Sequence, residues 1–150
     1  MLRRIVKFSL PAWLLLALLF TVPACTGSAA VTNLPEPSYA ADITESLLLS
    51  LNAGNFEEFS QDFDDAMRKA VTPEVFNTQF ITGIKGKIGD YEPGSKRFFS
   101  ASSQAQYTAV VYSAIYTDEP GTVLLQVSFQ QVDGRPLIAG INFNSPKLRN

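Results

Sequence analysis

The chain changes hydrophobic period once, between Gly83 and Lys96, and that switch orders its layers: helices first, strands afterwards. Upstream, apolar residues recur every three or four positions, as one face of a helix requires. Ser38 is placed to cap a first helix carrying Tyr39, Ile43, Leu47 and Leu51 on one side, and Gly54 ends it. Asn55 can cap a short helix with Phe56, Phe59 and Phe63 turned inward and Glu57, Glu58 and Asp62 in water. Thr72-Pro73-Glu74 starts a third, with Val75, Phe76, Phe80 and Ile84 as its apolar face, and Gly83, Gly86 and Gly89 break the pattern.

Downstream the residues are β-branched and aromatic, which predicts strands at about 97–102, 106–116, 122–132 and 137–143. Asp118-Glu119-Pro120-Gly121 and Val132-Asp133-Gly134-Arg135 carry turn chemistry, so the last three strands should form an antiparallel meander. Read by alternation, Tyr107, Ala109, Val111, Ser113 and Ile115 form one face, continued by Val123, Leu125, Val127 and Phe129 and by Leu137, Ala139, Ile141 and Phe143. These are expected to be the buried side of one curved sheet of about four strands with the helices in its concavity, an α+β architecture. The opposite face carries Val110, Tyr112, Ala114 and Tyr116 beside Leu124, Gln126 and Ser128. Tyrosine and aliphatics without charge favour contact over solvation, so Val110, Tyr112, Tyr116 and Leu124 are a candidate interface for a homodimer or an envelope protein. The competing expectation is that residues 145–150 or an early helix cover part of it.

The first 24 residues read as an address. Arg3, Arg4 and Lys7 precede an apolar run from Leu10 to Val22 that is too short and Pro-interrupted for a membrane span of roughly 20 residues. Val22-Pro23-Ala24-Cys25 follows and resembles the bacterial lipobox, in which the sulfur is acylated before the leader is cut away. The resemblance implies a signal peptide at 1–24, lipidation at Cys25 and anchoring to a membrane on the extracytoplasmic side of a bacterial envelope. Pro23 departs from the usual residue there, and the alternative is secretion with cleavage near Ala24 or Ala30. Residues 25–37, small and polar with two prolines, read as an unstructured tether before a single domain at 38–150. Without the leader, nine basic residues face 14 acidic ones, a net charge of about −5, which argues against a nucleic-acid partner. A single cysteine forms no disulfide within the chain, so the core alone must hold the fold.

The chemistry legible in the sequence is sparse. No histidine is present, which removes the commonest general base and transition-metal ligand. Gly83-Ile84-Lys85-Gly86-Lys87-Ile88-Gly89 lacks the Ser or Thr that a phosphate loop sets on its metal. Asp62, Asp64 and Asp65 are followed by Ala66 and Met67 where a calcium loop needs an oxygen ligand and glycine, so a solvated helix end is expected. Neither a metal nor a cofactor is implied. Phe56, Phe59, Phe63, Phe80, Tyr107 and Ser113 are the candidate pocket. If the phenylalanines fill it, the domain is a non-catalytic module that binds a small apolar ligand or a protein. If it stays open with a carboxylate such as Asp65 or Asp90 near a tyrosine such as Tyr91, isomerase, dehydratase or hydrolase-like catalysis is the alternative.

Four segments carry a resemblance: Leu51 to Phe76 (LNAGNFEEFSQDFDDAMRKAVTPEVF), the Gly89-Asp90-Tyr91 triplet, the strand Tyr107 to Tyr116 (YTAVVYSAIY) and the ending Gly140 to Arg149 (GINFNSPKLR). Together they resemble the bacterial family called domain of unknown function 3887, over about 42–149. That family is similar to nuclear-transport-factor-2-like, or cystatin-like, cones, which implies helices packed in a strongly bent sheet and supplies no activity. Members tend to carry Trp where this chain has Asn142, a departure that matters little for the fold and puts any shared surface site there in doubt.

Overall fold

The computed structural model describes residues 33–149. The expected signal peptide, Cys25 and the tether up to residue 32 lie outside the described residues. Four helical segments come first. The helix α1 (Ala40–Ala53) starts at Tyr39 without a side-chain cap and ends at Gly54, whose φ of +67° closes it through bonds to the Leu51 and Ser50 carbonyls. The helices α2 (Phe56–Phe59) and α3 (Asp65–Ala70) are capped by Asn55 and Asp64, which accept from the Glu58 and Met67 amides. Asp64 also accepts from Gln130 at 2.6 Å and is buried, so the acidic cluster starts α3 around a buried cap instead of forming the solvated helix end expected.

The last helix, α4, begins at Pro73–Val75 behind the Thr72 cap, widens into a π-helix at Phe76–Lys85 and closes at Gly86–Ile88. Gly83 and Gly86 therefore lie inside it, not at its end. A Cβ on Gly83 or Gly86 would stand 3.3 or 3.4 Å from the carbonyl oxygen five residues back, at Thr78 or Ile81. The chain turns at Gly89, with φ +81°, where a Cβ would meet Thr117 Oγ1 at 2.1 Å and the Asp118 amide nitrogen at 2.8 Å.

The strands β1 (Arg97–Gln104), β2 (Tyr107–Tyr116), β3 (Glu119–Val132) and β4 (Arg135–Asn144) form one antiparallel sheet in the order β1-β2-β3-β4. The fold is α+β, with the helices against one face of the sheet. Asp133 (φ +51°) and Gly134 (φ +77°) make the two-residue turn before β4 that their types favour.

The buried side of β2 is the reverse of the expected one. Val110, Tyr112, Ala114 and Tyr116 are buried at 0–2 % exposure, whereas Tyr107 and Ile115 are exposed and Ser113 is half-exposed. Register explains it: residues directly opposite share a face, and Val110, Tyr112 and Ala114 stand opposite Val127, Leu125 and Val123. In β3 only one alternating set is uniformly apolar, so β3 selects the side. In β4, Ile138 is buried opposite Phe129, and an extra residue at Ala139 then resets the alternation, so Ile141 and Phe143 face the core while Leu137 and Ala139 do not. Val110, Tyr112 and Tyr116 are thus core residues and cannot form an interface; of that set only Leu124 lies on the outer face.

Residues 34–37 are docked, which shortens the expected tether. The Leu34 amide donates to the Ala101 carbonyl on β1 at 2.9 Å, its side chain packs against the core, and Glu36 accepts the Tyr112 hydroxyl at 2.7 Å.

Candidate functional site

The phenylalanine stripe is packed solid. Phe59 is 1 % exposed, with ring centroids of Phe76, Phe80 and Phe63 at 4.8, 5.0 and 5.3 Å, and Phe56 meets Phe76 at 5.6 Å. Edge-on and tilted rings at these spacings are favourable aromatic packing. Phe76, absent from the candidate set, joins it from α4. Tyr107 and Ser113 lie on the far side of the sheet, so the six expected pocket residues do not converge. Phe56, Phe59, Phe63 and Phe80 instead glue α2 and α4 to the sheet.

The residues of the resembling motifs meet at the other end of the helical layer, where they hold the chain together. Asn52, in the last turn of α1, binds the backbone of Tyr91 with both ends of its amide: Nδ2 donates to the Tyr91 carbonyl at 2.7 Å and Oδ1 accepts the Tyr91 amide at 2.9 Å. One side chain thus does for the 89–91 segment what a neighbouring strand would. The Tyr91 hydroxyl donates to Glu45 at 2.9 and 3.1 Å and accepts the Lys96 amide at 3.3 Å, and the Gly94 amide donates to Glu45 as well. Lys96 pairs with Glu45 at 3.7 Å and lies 4.6 Å over the Tyr112 ring, whose hydroxyl reaches Glu36. Asp90 pairs with Lys85 at 2.8 Å, and its carbonyl accepts the Thr117 amide.

Two carboxylates therefore do stand within hydrogen-bond reach of tyrosines. Both act as acceptors for neutral phenols. Burial first, and then the bond to Glu45 or Glu36, push the Tyr91 and Tyr112 hydroxyls above the ordinary tyrosine range; burial does the same to Tyr116. A phenol held protonated in this way is a structural donor. Asp65, the other carboxylate considered as a base, is exposed in the first turn of α3. Among the described residues no group of three or more acidic, cysteine or histidine side chains could hold a metal ion, and no helix is long and apolar enough to cross a membrane. Sequence reasoning missed Asn52, Glu45, Glu36 and Lys96. An asparagine in a helix's last turn, two positions before the closing glycine, was the signal for the first; the others depend on side-chain contacts 16 to 76 positions apart.

Open concavities lie chiefly on the outer face of the sheet. One of about 390 Å³ is bounded by Ser102, Gln104, Tyr107, Ala109, Gln126 and Ser128, and another of about 280 Å³ by Phe99, Ser100, Val111, Leu124, Asn142 and Asn144. Register places Val111 opposite Gln126, Ser113 opposite Leu124 and Gln126 opposite Asn142. Of the strand residues that face outward along β1, β2 and the paired stretch of β3 and β4, Arg97 at the β1 edge and Arg135 at the β3–β4 turn are charged. A groove of about 510 Å³ runs between α4 and β4, lined by Phe80, Ile84, Ile141, Phe143 and Leu148 with Thr78, Gln79 and Asn142. It lacks charge.

Residues 44–133 match the family described as "Protein of unknown function (DUF3887)". No curated protein matches the chain. Among solved structures, the solution structure of a SEC-C motif containing protein from Rhodopseudomonas palustris aligns with 13 % identity over 67 % of this chain and 74 % of that one, at a TM-score of 0.48.

Proposed function

The chain belongs to the DUF3887 family, and from that premise we propose that it is a non-catalytic, lipid-anchored domain of the bacterial cell envelope that docks a protein through the outer face of its sheet. The observation that carries this reading is that most of the open, sparsely charged surface lies on the outer face of the sheet. On the helix side the phenylalanine stripe is packed, Glu45 and Glu36 are engaged in holding Tyr91 and Tyr112, and the α4–β4 groove is what stays open, whereas the sheet's far side presents Tyr107, Val111, Ile115 and Leu124 amid neutral Ser, Gln and Asn. Exposed apolar side chains with little charge around them favour contact with another protein surface over water. A second copy of the chain is the occupant we favour, because a face whose charges, Arg97 and Arg135, stand only at its margins meets itself with little like-charge repulsion. In this reading the helices-then-meander order belongs to a nuclear-transport-factor-2-like cone, residues 1–24 are a signal peptide and acyl chains at Cys25 hold the domain to the membrane.

Two substitutions in the full chain, expressed with its own leader in a bacterium, test the proposal. Cys25→Ser should move the protein out of the membrane fraction or leave an uncleaved precursor, since two or more acyl chains anchor stably where none does not. Leu124→Glu should abolish the crosslinked dimer while leaving the thermal midpoint within a few degrees, because Leu124 is on the outer face. Unchanged mass and partition of the Cys25 variant would remove the anchor from the account. A parent protein that gives neither a dimer nor an envelope partner on crosslinking would remove the face.

A further inference from the structure

The edge of β1 combines three features: the chain enters the fold there, a bulge leaves a phenylalanine exposed, and an arginine with no acidic partner among the described residues stands beside it. We infer that this edge rests on the membrane surface, with Phe99 set into the interfacial layer and Arg97 against anionic phospholipid headgroups. The inference rests on the anchoring proposed above and adds an orientation to it: it assigns Phe99, at the rim of the outer-face concavity it shares with Val111 and Leu124, to the lipid and leaves the β2–β4 part of that face to the second copy.

The first observation is the attachment point. Leu34 is bonded to Ala101 on β1, so whatever precedes Asn33 leaves from this edge. Eight residues, 26–33, separate Cys25 from it. At about 3.3 Å each they reach no more than about 27 Å, so the β1 edge is the part of the domain held nearest the acyl chains.

The second is the bulge. Phe98 pairs with Tyr112 and Ser100 with Val111, leaving Phe99 as the extra residue. It is 66 % exposed, the most exposed large apolar side chain among the described residues, while Phe98, 38 % exposed, stands edge-on against Tyr112 at 6.3 Å. Bulges re-aim side chains at sheet edges, and an outward aromatic on an edge strand is a liability in water unless something covers it.

The third is charge. Lys96 is engaged by Glu45 and by the Tyr112 ring, but Arg97 makes its side-chain bonds to the Gly94 and Lys96 carbonyls, which leave its charge uncompensated. In a chain of net negative charge this is a local basic spot next to an exposed ring, the pairing that binds anionic lipid surfaces.

The test uses the absence of competing tryptophan. The sole tryptophan, Trp13, lies in the leader expected to be removed, so Phe99→Trp in the full chain yields a processed protein with one indole. Purified from membranes and reconstituted into vesicles of phosphatidylethanolamine and phosphatidylglycerol, it should float with them, emit at shorter wavelength than in water and be quenched by brominated acyl chains. Adding Arg97→Gln should lower that quenching by about fivefold on these vesicles and leave it unchanged on phosphatidylcholine alone. A protein that floats yet shows a water-exposed indole overturns the contact and leaves the anchor standing. One whose indole is shielded from acrylamide but untouched by brominated chains assigns Phe99 to a protein interface and likewise overturns it. One that does not float overturns both readings.

Discussion

Replacing Asn52 by Leu would test whether the resembling motif is scaffold. The side chain is half-buried, and its amide satisfies both backbone groups of Tyr91, whose own side chain is 1 % exposed. Leucine keeps the branched shape, raises the helix propensity and removes both bonds at once. Each net hydrogen bond is worth about 0.5–1.5 kcal/mol, and each buried group left unpaired costs about 1–3 kcal/mol. Partial access of water to the Tyr91 backbone places the total at about 3 kcal/mol. The Lys85 ammonium, which donates to the Asn52 backbone carbonyl, keeps its partner, so the loss is confined to the side chain. Against a stability of about 5–15 kcal/mol for a domain of this kind this is a large fraction. With a urea slope of about 1.5 kcal/mol per molar, the midpoint should fall by about 2 M at unchanged slope. Asn52→Asp should also destabilise, because it keeps the acceptor for the Tyr91 amide but turns an oxygen toward the Tyr91 carbonyl. A midpoint within about 0.3 M of the parent for the leucine variant would show that the Asn52–Tyr91 clasp does not hold the two segments together. The motif would then need a functional explanation.

Phe59→Ala should cost about 3–5 kcal/mol, since it empties the centre of a cluster of three other rings and the site has no small neighbour to collapse into; a melting temperature within a degree or two of the parent, with loss of a bound small molecule, would make the stripe a ligand pocket after all. The fold should also weaken in alkali: Tyr91, Tyr112 and Tyr116 hold their protons above the ordinary value of 10.0. Their contribution is whole below that pH, where folded and unfolded chains are both protonated. It is lost as pH rises past it, because the unfolded chain then releases protons the folded one keeps, at up to about 1.4 kcal/mol per pH unit for each tyrosine. Urea midpoints that stay level from about pH 9 to about pH 11 would contradict the burial of these hydroxyls.

The sequence by itself determined the layer order, the helix starts at Asn55 and Thr72, the strand positions to within a few residues and the Asp133-Gly134 turn. Each of these is written in neighbours: a cap needs an amide three residues on, a tight turn needs positive φ at two adjacent positions, and periodicity is a property of a short window. Which side of β2 is buried was not written there, since the turn expected at 118–121 lies at 117–118, with Glu119 and Pro120 already in β3, and alternation within β2 alone offers two apolar faces and no choice. The tertiary structure made that choice through register, and the Ala139 bulge made the corresponding one in β4. It alone decided that α4 runs through Gly83 and Gly86, that Glu45 and Glu36 accept from Tyr91 and Tyr112, and that Phe99 points away from the core. Those outcomes depend on which distant surfaces meet, and no local pattern of residues encodes the meeting.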